Sequence, residues 1–290
     1  MEIREKAYAK LNISLDVGAK RPDGYHEMNM VMQTVSLCDE LTVAQTDDGR
    51  IAARSNLRFI PSDERNLAVK AARVFFDAAG IEGQGLLLTL RKRIPVGAGM
   101  AGGSSDAAAT LRALNAMYGG HFTVAELETL AQQVGSDVAF CVAGGTALAR
   151  GRGEILEPLP PLPDCTIVIC KPEFSISTPE LFRKLDSAPL RHHPDTAGIL
   201  EALEKGDLRA ICRRMYNVFE DVGDRRLRTV AQIKSRMRDY GALGSIMTGT
   251  GSAVFGIFTD EAAAKAACAA FAKDHRFACV AEPVGRIPQG

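Results

Sequence analysis

The sequence predicts a fold of mixed helices and strands, α+β or α/β, arranged in two domains. Segments with strand periodicity and segments with helix periodicity are interspersed along all 290 residues, a length that suits one large domain or two ordinary ones. Residues 157–164 read EPLPPLPD, with four prolines in eight positions. Because proline density of this kind is typical of a stiff connector, we expect domains at residues 1–157 and 158–290.

The first clear strand pattern is Leu11–Val17, where apolar and polar residues alternate. Lys10 and Asn12 fall on the polar face, so the pattern predicts a half-buried strand. A turn-rich loop is expected at Gly18–Tyr25. Further on, Met30–Val43 predicts one or two strands broken at residues 38–40, and residues 47–49 predict a hairpin-like turn.

The middle of the chain predicts three helices and one strand. The helices are expected at Asn66–Ala79, at about Ser104–Tyr118 and from Thr123 to Gly135, and the strand at Leu86–Leu90. Thr123 with Glu126 matches a capping box. The remaining elements expected are a strand at Thr166–Cys170, a helix capped at Thr178, helices at Ile199–Leu203, Leu208–Val218 and Arg226–Tyr240, two strands around a turn in Ser245–Phe258, a helix at Glu261–Lys273 and a strand at Phe277–Ala281.

Composition and charge are those of an ordinary globular protein, and they leave an anionic small-molecule substrate open. Lys+Arg and Asp+Glu both number 35, so bulk charge gives no sign of a nucleic-acid or membrane partner. The seven cysteines are odd in number and form no C-x-x-C pair, which argues against a disulfide framework or a zinc site. With no signal peptide and no membrane-length apolar run, we expect a cytoplasmic protein.

The most informative segment is a glycine-rich run that leads into an alanine-rich helix. Glycines let backbone N–H groups approach an oxygen-rich ligand, and a helix N-terminus adds unpaired donors and partial positive charge. The run therefore favours a phosphate cradle, here called the glycine loop, made of Pro95, Val96, Gly97, Ala98, Gly99, Met100, Ala101, Gly102, Gly103, Ser104 and Ser105.

The glycine loop has three other interpretations, of which two are nucleotide-binding motifs and one is purely structural. Gly97–Gly102 matches the dinucleotide fingerprint G-x-G-x-x-G, but the charged run Arg91–Arg93 precedes it and a helix, not a strand, follows the next connection. The lysine of a Walker A loop is also missing. A flexible linker or a tight helix entry remains a simpler alternative for the run taken alone.

Lys10 and Asp137 are candidates for phosphoryl transfer. That reaction needs an acceptor hydroxyl relieved of its proton and an offset for the phosphate charge, which a carboxylate and a lysine supply. Asp137 falls at a predicted helix-to-strand junction. On spacing alone, a turn residue and a solvated lysine are the better explanation of Asp137 and Lys10. A β-turn is likewise the better explanation of TGTGS at residues 248–252.

The order of four segments resembles the GHMP kinase superfamily. These segments are AKLN from Ala9, PVGAGMAGGSSDAA from Pro95, GSDVAF from Gly135 and TGTGSAVF from Thr248, so the resemblance spans about residues 6–258. RPDGYHEM from Arg21 resembles the branch that uses ATP to phosphorylate the 2-hydroxyl of 4-diphosphocytidyl-2-C-methyl-D-erythritol in non-mevalonate isoprenoid synthesis. The resemblance implies an α+β, two-domain GHMP kinase fold with its active site in the inter-domain cleft, ATP as co-substrate and Mg²⁺ with it.

The resemblance also implies roles for residues that match its motifs. Asp137 would be the general base and Lys10 its partner, while the glycine loop would hold the ATP phosphates. The residues expected beside the transferred phosphate are Gly249, Thr250, Gly251 and Ser252. Those expected to bind the acceptor are Asn12, Tyr25, His26, Thr178 and Phe182, with the cytosine against Tyr25 and His26 and Phe182 stacked on its other side. Taken without the motif, His26 and Phe182 are an ordinary surface histidine and a core residue.

The sequence departs from the family pattern in ways that bear on the loop. Ala98 and Ala101 stand where many relatives carry glycine, Asp106 where some carry asparagine, and Ala139 where proline is usual. No glutamate can be assigned to Mg²⁺, so its ligands are unknown. Asn66 and Arg91–Arg93 are either nucleotide neighbours or a helix cap and a solvated strand end.

Two other functions are alternatives to this kinase activity. Another GHMP kinase, acting on homoserine or mevalonate, should lack the GYH element and the aromatic at Phe182. A non-catalytic or dinucleotide-binding protein would have no need of Asp137. We expect a monomer or a weak homodimer.

Overall fold

The computed structural model describes residues 1–187, 190, 192–222 and 225–288, which form two β-sheets flanked by helices. The larger sheet has seven strands with β3, β4, β2, β1 and β8 in order, while β5 pairs with the other half of β2 and β6 pairs with β5. The smaller sheet is antiparallel, in the order β11, β7, β10, β9. The strands are β1 (Glu2–Lys20), β2 (His26–Thr46), β3 (Ile51–Ser55), β4 (Gly85–Arg91), β5 (Thr146–Gly151), β6 (Ile155–Pro158), β7 (Thr166–Lys171), β8 (Tyr216–Asn217), β9 (Gly244–Met247), β10 (Val254–Phe258) and β11 (Phe277–Ala281).

The helices pack on the faces of these sheets. Helices α1 to α4 cover the larger sheet, α8 and α9 cover one face of the smaller sheet, and α6 and α7 lie on the apolar residues of its other face. The helices are α1 (Leu67–Ala79), α2 (Gly102–Met117), α3 (Val124–Gln132), α4 (Val138–Ala143), α5 (Thr178–Ser187), α6 (Thr196–Glu204), α7 (Leu208–Arg214), α8 (Leu227–Asp239) and α9 (Glu261–Asp274). Within the described ranges, no helix is both long and apolar enough to cross a membrane.

Helix ends agree well with the local signals in the sequence. Asn66 caps α1 by accepting from the Ala68 amide, and Gly80 ends it in the left-handed conformation, φ 65°. At α3 both hydrogen bonds of the predicted capping box form between Thr123 and Glu126. These signals act within a few residues, so they need no tertiary partner to be read correctly.

Four of the secondary-structure predictions were wrong. Strand β2 is continuous through residues 38–40, because the charge of Asp39 is buried and paired, as described below. Residues 47–49 do not form a hairpin, since β3 pairs in parallel with β4 rather than with β2. Asp137 lies between α3 and α4, so the predicted helix-to-strand junction is a helix start. The helix predicted at Leu208–Val218 ends at Arg214 because residues 216–217 pair with β1 as β8.

Strand β1 is the element that connects the two halves of the molecule. It was predicted to be half-buried, yet Lys10, Asn12 and Ser14 on its polar face are all buried. The turn between β9 and β10 covers this face, and the Asn12 amide donates to Thr248 Oγ1 at 3.1 Å. On the opposite face, Leu11 and Ile13 belong to the same apolar cluster as the smaller sheet.

The chain changes sheets at the proline-rich connector. Strand β6 ends in the larger sheet at Pro158 and β7 opens in the smaller sheet at Thr166. Two later segments return to the larger sheet, namely β8 and the tail, whose Val284 amide donates to the Thr34 carbonyl at 2.9 Å. The boundary at residues 157/158 stays a prediction.

The glycine loop touches the β9–β10 turn across the space between the sheets. The Ala253 amide donates to the Ala98 carbonyl at 3.1 Å, and Thr248 Oγ1 donates to the Gly99 carbonyl at 3.2 Å. Gly99 has φ 78°, and a Cβ there would lie 2.1 Å from the Thr248 carbonyl oxygen. No side chain fits at this contact, so glycine is required by space as well as by conformation.

We predict that Gly99→Ala destabilises the protein more than Gly80→Ala does. Both glycines have positive φ, but a Cβ at Gly80 meets nothing within 4 Å. Gly80→Ala should therefore cost only the strain of a left-handed residue, about 1–2 kcal/mol, whereas Gly99→Ala adds a backbone clash. Urea unfolding of the two variants measures the difference. Equal losses would show that the two turns do not pack as closely as described.

Candidate active site

A cavity of about 920 Å³ lies between the two halves of the molecule. Strands β1 and β2 of the larger sheet, helix α5, the turn between β9 and β10 and connecting segments contribute to its wall. The volume is that of a site for one large or two smaller ligands. Predicted residues that line it are Lys10, Tyr25, His26, Pro95, Val96, Gly97, Ala98, Gly99, Met100, Ala101, Gly102, Gly103, Ser104, Asp137, Thr178, Phe182, Gly249, Thr250 and Gly251. The structure thus brings together segments that are up to about 240 residues apart in sequence.

Three predicted residues lie behind the cavity wall. Ser105 Oγ donates to the Tyr8 carbonyl at 2.6 Å, and Ser252 Oγ donates to the Phe174 carbonyl. Asn12 is fully buried and contacts Lys10 and Met30, both of which line the cavity. These side chains support the wall, and a direct role for them in binding stays a prediction.

The glycine loop presents backbone donors at the start of α2. Residues 102–104 precede the first hydrogen bond of the helix, from the Ser105 amide to the Ala101 carbonyl at 2.8 Å. Their N–H groups have no partner within the helix and lie at its positive end, which suits phosphate oxygens. Ala101 adopts φ 57° just before the helix, a left-handed conformation that costs an L-residue about 1–2 kcal/mol. The departure from glycine at this position therefore adds strain to the loop.

Lys10 and Asp137 form an ion pair in the cavity wall. Lys10 Nζ lies 3.5 Å from Asp137 Oδ2 and donates to Asn12 Oδ1 at 2.7 Å. The lysine side chain is 5% exposed, whereas the carboxylate is 32% exposed and open to the cavity. An ammonium held in place beside an accessible carboxylate can orient the carboxylate and offset negative charge that develops near it. The solvated lysine considered above does not describe this residue.

The β9–β10 turn lines the cavity next to the glycine loop. Gly249 and Gly251 have φ 55° and 84°, and a Cβ at Gly249 would lie 2.8 Å from the Gly99 carbonyl oxygen. The hydroxyls of Thr250 and Thr178 are 2.8 Å apart, so the predicted phosphate neighbour and the predicted acceptor neighbour are directly connected.

One end of the cavity is aromatic. His26 stacks on Phe182 with ring centroids 5.1 Å apart and planes at 30°, and Phe182 meets Phe219 edge-on. Tyr25 is 53% exposed, with the Arg152 guanidinium 5.3 Å from its ring centroid. Because His26 already covers one face of Phe182, a base cannot enter between those two rings. The position of the cytosine against Tyr25 and Phe182 stays a prediction.

Sequence reasoning missed the charged residues at the aromatic end. Asp186 of α5 accepts from His26 Nε2 and from Lys20 Nζ at 2.6 and 3.0 Å, and these hydrogen bonds lower the pKa of that carboxyl. Arg152 and Arg183 also line the cavity. These residues carry no motif, and only the folded chain places them beside the aromatic rings.

A second group missed by sequence lies under the glycine loop. Lys92, from the segment after β4, lies between the carboxylates of Asp39 and Asp106 and makes short hydrogen bonds to both. All three side chains are at most 4% exposed. Burial raises the pKa of Asp106 to about 7, and repulsion from Asp39 adds to this against the attraction of Lys92. The flanking Arg91 and Arg93 pair with Glu40 at the surface, and Asn66 is a helix cap.

Metal binding and cysteine chemistry have little support in this site. Across the residues that the structure describes, no group of three or more His, Cys, Asp or Glu side chains could hold a metal ion. A Mg²⁺ ion that arrives with a nucleotide needs fewer protein ligands, because phosphates supply the others. All seven cysteines are free, and burial raises the pKa of Cys141 beside the site to about 12, which keeps its thiol unreactive.

Comparison with known proteins identifies the family to which this chain belongs. The models of the N-terminal and C-terminal domains of GHMP kinases match residues 66–145 and 199–276. A curated 4-diphosphocytidyl-2-C-methyl-D-erythritol kinase from Geobacillus sp. (strain WCH70) is 47% identical over 259 residues, which is 89% of this chain and 88% of that protein.

Solved structures agree with this result. The crystal structure of a 4-(cytidine 5'-diphospho)-2C-methyl-D-erythritol kinase superposes with a TM-score of 0.81 at 35% identity, covering 98% of this chain and all of the other. A homoserine kinase from Cytophaga hutchinsonii shares the fold, with a TM-score of 0.77 at 22% identity over 98% of this chain and 95% of its own. The predicted α+β, two-domain kinase fold is confirmed, and the dinucleotide-binding alternative is not supported. The chain belongs to the GHMP kinase family, in the group of relatives named 4-diphosphocytidyl-2-C-methyl-D-erythritol kinase.

Proposed function

We propose that this protein transfers the γ-phosphoryl group of ATP to the 2-hydroxyl of 4-diphosphocytidyl-2-C-methyl-D-erythritol. The observation that carries the proposal is the position of the Lys10–Asp137 pair. It lies in one cavity with backbone phosphate donors of the glycine loop and with the aromatic end at Tyr25 and Phe182. A phosphoryl donor and an acceptor that ends in a flat base would meet at that pair.

In the proposed reaction, Asp137 takes the proton of the acceptor hydroxyl as its oxygen attacks the γ-phosphorus. A new O–P bond forms, the bond to the β-phosphate bridging oxygen breaks, and ADP leaves with those electrons. Lys10 holds the Asp137 carboxylate in place and offsets charge on the transferring group. The amides at residues 102–104 and the turn at Gly249–Gly251 would stabilise the phosphates from opposite sides.

At the other end, the cytosine would lie between Tyr25 and Phe182. Phe182 is fixed from behind by Phe219 and from one face by His26, so its remaining face is rigid and apolar. His26 is held by Asp186 at 2.6 Å, which orients its ring. A flat base gains stacking on such a platform without ordering new side chains.

The proposed reaction also needs a co-substrate, a metal ion and a cellular compartment. ATP is the co-substrate, and Mg²⁺ would accompany it, held largely by phosphate oxygens. The free cysteines agree with a reducing compartment, so we propose a cytoplasmic enzyme. Every residue invoked comes from one chain, so a monomer or a weak homodimer would suffice.

The direct test is turnover with purified protein and three acceptors. We predict that ATP and 4-diphosphocytidyl-2-C-methyl-D-erythritol yield ADP and a phosphorylated alcohol, and that homoserine and mevalonate yield none above background. A coupled assay for ADP, with mass spectrometry of the product, measures this. Turnover with homoserine or mevalonate instead would assign the site to another GHMP kinase activity.

Asp137→Asn should lower kcat by about 10²–10⁴-fold, the range expected for loss of a general base. The amide is isosteric and cannot accept the proton, whereas the glycine loop is untouched, so ATP affinity should stay within about twofold. Steady-state kinetics and calorimetric ATP binding separate the two effects. Asp77→Asn, an exposed exchange on α1, is the matched control. An unchanged kcat would remove Asp137 from the role of base.

Tyr25→Ala and Phe182→Ala should raise KM for the acceptor more than KM for ATP. Each variant removes one stacking surface, which is worth about 1–3 kcal/mol per base, or roughly 5- to 150-fold. Tyr240→Ala removes another partly exposed aromatic ring outside the cavity wall and serves as the control. If both KM values rose equally, the aromatic end would not be the base site.

A further inference from the structure

The buried group under the glycine loop makes contact with both ends of that loop. Asp39 Oδ1 accepts from the backbone amides of Arg93 and Ile94, the latter at 2.8 Å, where the chain enters the loop. Lys92 Nζ donates to the Gly102 carbonyl at 3.2 Å, where the chain leaves the loop and α2 begins. One strand residue, Asp39, thus fixes the entrance directly and the exit through Lys92.

The charges of this group do not balance. Two buried carboxylates share one ammonium, and Asp106 Oδ1 is buried without a hydrogen-bond donor among the described residues. The Asp39 and Asp106 carboxylates lie close together, because both accept hydrogen bonds from the same Lys92 Nζ. Two buried carboxylates around one ammonium cannot both ionise cheaply, and one proton on this pair would remove the unbalanced charge.

We propose that Asp39, Lys92 and Asp106 form a proton-linked clamp that positions the glycine loop for the nucleotide. This inference rests on the proposed function, because it takes the loop to bind ATP phosphates. Asp39 and Asp106 are positioning residues, since their carboxylates lie outside the cavity wall while the Lys92 they hold lines it.

The sign of the proton linkage follows from charge. In the free protein the pKa of Asp106 is raised to about 7 by burial, so the carboxyl is partly protonated at neutral pH. A bound nucleotide adds negative charge to the loop and favours the protonated form, which raises this pKa further. Binding therefore takes up a proton near pH 7, and affinity falls as pH rises through 7.

Other charged groups near α2 are already paired elsewhere. Lys92 from the segment after β4 and Asp39 from β2 are the charges that act on the Asp106 carboxyl. The charged residues on neighbouring elements have other partners. On α1, Lys70 binds the Val134 carbonyl and Arg73 binds Glu64. Glu5 of β1 binds Arg112, and Asp137 before α4 binds Lys10. The proton is thus expected to remain within the clamp.

Calorimetry of a non-hydrolysable ATP analogue tests the clamp. Titrations at pH 7 in two buffers of different ionisation enthalpy give the number of protons taken up on binding. The wild-type protein should take up a fraction of a proton more than Asp106→Asn, whose isosteric amide cannot titrate. Asp77→Asn should behave as wild type. Protonation of the nucleotide itself is common to all three proteins and cancels in the comparison.

The dependence of Kd on pH gives the second measurement. From pH 6 to 8.5 the wild-type Kd should rise relative to that of Asp106→Asn, by up to about tenfold for each unit by which nucleotide raises the Asp106 pKa. Asp39→Asn is the second variant, used also if Asp106→Asn does not fold. It removes the repulsion that favours the proton, so it should lower the uptake and raise KM for ATP while leaving KM for the acceptor unchanged.

Equal proton uptake in the wild-type protein and in whichever of these variants folds would overturn the clamp. A wild-type protein that bound no nucleotide would instead contradict the proposed function.

Discussion

Strand β1 carries an ammonium, an amide and a hydroxyl on a buried face, and each of these groups needs a partner. The partners come from both halves of the molecule. Asp137 and Asn12 take the Lys10 ammonium, while Thr248 reaches the backbone of Asn12 from the smaller sheet. This requirement draws the β9–β10 turn and the start of α4 to the same strand, and the cavity is the space left between them.

The two glycine turns follow from this close approach. Gly99 and the Thr248 carbonyl are too near for any Cβ. The Gly99 carbonyl accepts from Thr248 Oγ1, and the Thr248 carbonyl accepts from the Gly251 amide. The remaining amides at the start of α2 are free to bind an anion. Ala101, in its strained left-handed conformation, lies directly beside these amides, and so does the buried pair of Asp39 and Asp106. The loop is therefore held in a conformation that it would not adopt alone.

Local signals in the sequence were enough for much of the fold. The helix caps at Asn66 and Thr123 act within one helical turn, and the glycine loop is recognisable from its composition. The predictions that were wrong concern residues with distant partners. Asp39 by itself indicates a strand break, but Lys92, which lies 53 residues later, neutralises its charge and lets the strand continue. The His26–Phe182 stack likewise joins a residue of strand β2 to a residue of helix α5, and it changes which ring faces are open to a base. Motif order predicted the members of the site, and only the fold gives their contacts.

The central claim is that donor and acceptor meet at the Lys10–Asp137 pair. A crystal structure of the protein with a non-hydrolysable ATP analogue and 4-diphosphocytidyl-2-C-methyl-D-erythritol tests it most directly. We predict that the acceptor 2-hydroxyl lies about 3 Å from the Asp137 carboxylate and faces the γ-phosphate, with the phosphates against residues 102–104. An acceptor hydroxyl directed away from Asp137, or phosphates bound away from the glycine loop, would contradict the account.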